Sequence, residues 1–94
     1  MGLNSSERRE LRARAHKLDP IVVVGAKGLT DAVIAEIDFA LKAHELIKVR
    51  AGTMDRRERD EAMSAICAKT GAEPVQQVGK VFVLFKKKPS SEPE

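Results

Sequence analysis

Apolar residues change their spacing several times along the chain, and each change marks an element. Leu11, Ala15 and Leu18 fall at i, i+4 and i+7, a narrow helical stripe. The spacing predicts a first helix over Asn4–Leu18. Asn4 is its N-cap, with Glu7 three residues on in the manner of a capping box. Asp19-Pro20 stops it, because the residue before proline is pushed out of the helical region. Ile21–Val24 is an unbroken β-branched run, which predicts a strand buried on both faces. Thr30 caps a second helix whose face of Val33, Ile34, Ile37 and Leu41 runs to about Ala43. Leu46–Ala51 alternates and predicts a second strand, with Lys48 and Arg50 on one face and Ile47 and Val49 in the core.

After a Gly52–Met54 loop, Asp55 and Glu58 form a second capping box. The helix they open buries Ala62, Met63, Ile66 and Cys67 and ends at Gly71, a left-handed C-terminal glycine. Pro74–Val78 predicts a third strand, with the proline at its start where a missing donor is tolerated. Gly79-Lys80 fits a type II′ hairpin turn into a fourth strand, Val81–Phe85. The order is α-β-α-β-α-β-β, an α/β (α+β) fold with a four-stranded mixed sheet. Strands one to two and two to three are expected to run parallel with right-handed crossovers, and the last two to form a hairpin.

A chain of 94 residues fits one domain, expected over 1–88, with 89–94 (SSEPE and its neighbour) as a polar, disordered tail. No apolar run approaches the roughly 18 residues that cross a bilayer. The first residues carry no leader-like apolar stretch, so no membrane association and a cytoplasmic location are expected. A single cysteine excludes an internal disulfide and a multi-cysteine zinc site. His16 and His44 lie in no metal-ligand spacing and near no nucleophile, so no cofactor, no metal and no catalytic residue is assigned. The absence of Trp and Tyr argues against base stacking on aromatic platforms.

Charge is unevenly laid out behind a net +3. Residues 1–18, with Arg8, Arg9, Arg12, Arg14 and Lys17 against two glutamates, sum to +3. Residues 31–45, with Asp31, Glu36, Asp38 and Glu45 against Lys42, sum to −3. Lys80, Lys86, Lys87 and Lys88 give the last basic stretch +4. A polyanion is attracted to the ends and repelled by the middle helix.

Gly25-Ala26-Lys27-Gly28 joins a strand to a helix N-terminus. Glycines admit a ligand close to the backbone, helix N–H groups and dipole favour an anion, and Lys27 adds a cation. A nucleoside-triphosphate loop needs Gly-Lys-Ser/Thr, but Leu29 follows Gly28. A dinucleotide fingerprint needs a third glycine, and Asp31-Ala32 supplies none. A GxxG backbone clamp for nucleic acid remains, beside the plainer reading of a tight turn.

At this point the residues carry a resemblance. Pro20–Arg50 resembles the CRM domain, and the chain is similar throughout to stand-alone bacterial YhbY-family proteins. The shared features include Ala15-His16-Lys17-Leu18, Gly25–Thr30 as GxxGLT, His44–Arg50, Thr70-Gly71-Ala72 and the Val78-Gly79-Lys80 hairpin. They span roughly residues 3–86. The resemblance implies a fold like the C-terminal domain of translation initiation factor three. It also implies RNA binding, association with large-subunit ribosomal precursors, and a part in ribosome assembly. Its loop falls on Gly25, Ala26, Lys27 and Gly28.

The expected RNA-binding set is therefore Gly25, Ala26, Lys27, Gly28 and Thr30, with Lys48, Arg50, Arg8, Arg12 and Lys17 around them. The expected partner is RNA, namely large-subunit ribosomal RNA or a pre-ribosomal particle, bound by a monomeric, non-enzymatic protein. Phe39 stands nearly opposite the Val33–Ile37–Leu41 face, beside Ala32, Ala35 and Ala43. Packing against the first helix is expected of it; the alternative is a protein-docking surface.

Overall fold

The computed structural model describes residues 3–87, so the expected tail at 89–94 and Lys88 lie outside the described residues. Helix α1 (Ser5–Ala15) opens on the expected capping box: Glu7 N–H donates to Asn4 Oδ1 at 2.8 Å, and Asn4 N–H donates to Glu7 Oε1 at 3.0 Å. It ends three residues earlier than its apolar stripe suggests. The chain tightens there into i→i+3 bonds, Lys17 N–H to Arg14 O and Leu18 N–H to Ala15 O. That turn rotates Leu18 off the stripe and leaves it exposed, while Leu11 and Ala15 stay buried.

Strand β1 (Val22–Val23) leads through the glycine loop to α2 (Asp31–His44), capped by Thr30 Oγ1, which accepts from Val33 N–H at 3.2 Å. One residue, Glu45 at φ 65°, separates α2 from β2 (Leu46–Arg50). Helix α3 (Arg56–Thr70) carries the second capping box and ends on left-handed Gly71. Strands β3 (Glu73–Val78) and β4 (Val81–Phe85) are joined by Gly79-Lys80. Gly79 has φ 55° and Lys80 has no positive φ, as a type II′ turn requires.

The sheet order is β1-β2-β4-β3. β1 and β2 pair in parallel as expected, but β2 and β3 are not neighbours. β4 lies between them, antiparallel to both. Composition explains the choice. VFVLF fills a central position, whereas the strand holding Pro74 lacks a donor and takes an edge, with a bulge between Pro74 and Gln76.

Two cores sandwich the sheet. Ile37 and Leu41 of α2 and Ile66 of α3 pack on Ile47, Val49, Phe82 and Leu84. On the opposite face Leu11 and Ala15 of α1 cover Leu46, Val75 and Val83. The layers are therefore α1, sheet, and α2 with α3. Strand β1 is not buried on both faces: Val22 and Val24 are buried, but Ile21 and Val23 are half or more exposed. It is an edge strand that α1 does not reach. Phe39 corrects another expectation. Its helix packs on the sheet face opposite α1, and its side chain is 75% exposed.

Candidate nucleic-acid interface

The glycine loop is a hydrogen-bonded β-turn. Gly28 N–H donates to the Gly25 carbonyl at 3.0 Å, and Ala26 and Lys27 are its exposed central residues. Gly28 sits at φ 77°, which favours glycine, and both loop glycines have open space where a Cβ would stand. Thr30 N–H donates to Gly28 O at 3.1 Å, fixing the turn on the start of α2. The Thr30 hydroxyl oxygen serves as the cap, which leaves its own proton to donate.

A second loop holds the first in place. Gly52 has φ 74°, and a Cβ there would collide with the Val24 carbonyl oxygen. Only glycine lets the β2–α3 connection lie on the end of β1, immediately before Gly25. The space between the glycine loop and α3, about 410 Å³, has Thr53, Met54, Glu58 and Glu61 on its far side. Glu58 is occupied in the capping box, and Glu61 meets Arg57 at 3.6 Å. Two carboxylates there disfavour a phosphate, so the side of the loop turned away from α3 suits an anion better.

Arg50 lies at the same end of the sheet, exposed, paired in register with Val23. Its carbonyl accepts Val24 N–H at 2.9 Å, which ties it to the stem of the loop. Ala51 N–H donates to Lys80 O at 2.6 Å, so the hairpin tip reaches this end too. Arg56 and Arg59, at the start of α3, share a 380 Å³ hollow with Gly79. Lys80, Arg56 and Arg59 carry no site role in the sequence reading. Only the strand order, which puts β4 beside β2, brings them to this end.

Arg8 and Arg12 lie one turn apart on α1, both half-buried. Arg12 shares a 200 Å³ hollow on the outer sheet face with His16 and Lys48. Lys17 stands apart. With Arg14 and His44 it rims a 510 Å³ hollow beside Leu46, at the end of β2 far from the glycine loop. The predicted residues thus form a loop group (Gly25–Gly28, Thr30, Arg50), an adjoining pair on α1 and β2 (Arg12, Lys48) with Arg8 one turn further along α1, and Lys17 at a distance. Lys86, counted from sequence in the last basic stretch, is structural. Its Nζ donates to Thr70 O at 2.6 Å and lies 3.9 Å from Asp38.

Among the described residues no cluster of three His, Cys, Asp or Glu side chains can hold a metal ion. In that set no helix is long and apolar enough to cross a membrane.

A mixed sheet with one basic helix layer and a cationic glycine turn defines a small α+β module suited to a polyanion. Comparison with known proteins narrows the class. Residues 3–86 match the CRS1 / YhbY (CRM) domain. A Haemophilus influenzae protein named as an RNA-binding protein is 41% identical over 90 residues, covering 96% of this chain and 89% of its own. A Pseudomonas aeruginosa protein named as a probable RNA-binding protein is 34% identical, covering 95% and 86%. A solution structure of a Staphylococcus aureus protein, described as a candidate RNA binder, superposes with a TM-score of 0.81 at 30% identity, covering 96% and 94%. The chain belongs to the CRS1/YhbY (CRM) domain family.

Proposed function

We propose that this chain is a non-enzymatic RNA-binding protein that acts on large-subunit ribosomal precursor particles during ribosome assembly, as a cytoplasmic monomer. The observation that carries the reading is the Gly25–Gly28 turn, open at both glycines, with exposed Lys27 at its tip and Arg50 at its stem. The loop holds an RNA backbone segment between Lys27 and the start of α2. Arg50, Lys48, Arg12 and Arg8 extend the attraction, and Lys17 adds a separate, more distant contact. Membership of a family whose relatives bear RNA-binding names supports the ligand class.

The test is affinity for structured ribosomal RNA fragments against salt, for the native chain and for Lys27→Glu. Each phosphate contact contributes about −0.7 to −0.9 to the log–log slope. A steep slope that the substitution flattens, with folding unchanged, supports the loop as the site. An unchanged slope and affinity refute it. One observation favours a second reading, a protein-docking role: Phe39 is 75% exposed on a helix of acidic character. In that case Phe39→Ala abolishes particle association while RNA affinity stays intact.

A further inference from the structure

We propose that the part of the outer sheet face left uncovered by α1 is a second RNA contact, one that takes unpaired bases. The proposal rests on the reading that the chain binds RNA and adds a site to it.

The register places Val23, Arg50, Val81 and Val78 side by side across all four strands, facing the α1 side. The next row is Ile21, Lys48, Val83 and Gln76, with Ile21 opposite Lys48 through the Ile21 N–H to Lys48 O bond. Leu11 and Ala15 of α1 cover Val83 and stop there. Val23, Val78 and Ile21 are consequently 56%, 55% and 50% exposed. Core-forming side chains are here presented to solvent around one exposed arginine. The adjoining 200 Å³ hollow has Val81 and Val83 as its floor and Arg12, His16 and Lys48 at its rim, and no carboxylate lines it.

That hollow, an apolar floor rimmed by cations, matches a nucleotide chain, whose base faces are flat and weakly polar and whose phosphates are anionic; Asp19 stands near Ile21 at the other end of the strip. A duplex keeps its base faces stacked inside, so only an unpaired segment brings them to a sheet. The strip is also continuous with the loop: Val23 lies two residues before Gly25, about 7 Å along the strand. A strand held at the glycine turn passes directly onto it. Valines lack the stacking strength of aromatic rings, so the strip favours unpaired RNA without selecting a particular base.

The experiment measures binding of an unpaired 12-nucleotide RNA and of its duplex to the native chain, V23S/V78S and Lys27→Glu. Methyl NMR of the native chain is recorded in parallel. The double variant is expected to bind the unpaired RNA about tenfold more weakly, with duplex affinity and salt slope unchanged. Lys27→Glu is expected to weaken both ligands and flatten the slope. Val23 and Val78 methyl signals are expected to shift with the unpaired RNA only. Unchanged affinity in the double variant with unmoved methyls overturns the strip, even where Lys27→Glu still weakens binding. Loss of particle association at unchanged RNA affinity reassigns the strip to a protein partner and overturns the proposal. Failure of the native chain to bind either RNA overturns the underlying reading instead.

Discussion

Three glycines around the candidate site separate folding from binding. At Gly52 an added methyl meets two penalties. The residue is held at φ 74°, where a Cβ costs about 1 kcal/mol. The methyl also collides with the Val24 carbonyl, a backbone atom fixed by the sheet, so the loop itself must shift. Overpacking of that kind typically costs a further 1–3 kcal/mol. Gly52→Ala is therefore expected to lose about 2–4 kcal/mol, a Tm drop on the order of 10–25 °C for a domain of this size. Gly28→Ala meets only the conformational penalty, since nothing lies within 4 Å of its Cβ position. Its expected loss is about 1 kcal/mol. Gly25→Ala meets neither, and a slightly stiffer unfolded chain makes it neutral or up to about 1 kcal/mol more stable. RNA affinity should not follow the same order, because Gly25→Ala and Gly28→Ala put methyls on the open face of the turn. Urea melts and RNA titrations of the three variants provide the assay. A Gly52→Ala protein that melts with the native chain refutes the close approach of the two loops. A Gly25→Ala protein that binds RNA normally refutes the clamp.

Two further outcomes follow from contacts outside the site. Lys86→Met removes the donor on the last carbonyl of α3, a half-buried bond at 2.6 Å, and is expected to cost about 1 kcal/mol in urea melts with RNA affinity unchanged. An equal loss of affinity refutes the structural assignment of Lys86. Burial, and next the negative charge of Glu73, push the Cys67 thiol up. Its alkylation at neutral pH is expected to be slower in the folded than in the urea-unfolded chain. A folded pKa above the unfolded one means the stabilisation is complete below the unfolded value and is lost as pH rises through the folded value. Stability that instead grows with pH in the alkaline range, and grows through Cys67, refutes the shift.

The local elements were legible because their signals are local. Both capping boxes, the Thr30 cap, the Gly71 stop and the two-residue hairpin turn depend on residues within four positions of one another. Apart from the early end of α1, a local tightening at Arg14–Leu18, the misreadings concern what one element meets across space. Ile21–Val24 reads as doubly buried because β-branched residues look the same on an edge strand as in a central one. Only the reach of α1 decides which face of β1 stays wet. Phe39 reads as packed on the first helix because the sequence does not say that the sheet stands between α1 and α2. Gly52 reads as an ordinary loop residue for the same reason, since its constraint comes from a carbonyl 28 positions earlier in the chain. Lys86 reads as one of four lysines in the last basic stretch, but pairing of β4 with β2 fixes its backbone to Glu45 O and its side chain to α3.

Topology also explains how a chain of net charge +3 can present a strongly basic surface. In sequence the +3 of residues 1–18 and the −3 of residues 31–45 cancel. In the fold α1 and α2 lie on opposite faces of the sheet, two layer spacings or about 20 Å apart. The Debye length at physiological salt is about 8 Å, so a polyanion docked on the α1 side feels little of the acids on α2. Placing α1 on the outer face therefore does more than bury Leu11 and Ala15. It converts a nearly balanced composition into two surfaces of opposite sign, and it puts the basic one on the side of Arg50 and the valine strip. The acidic one carries exposed Phe39 and repels a polyanion, so substitutions on the two surfaces can be tested one at a time.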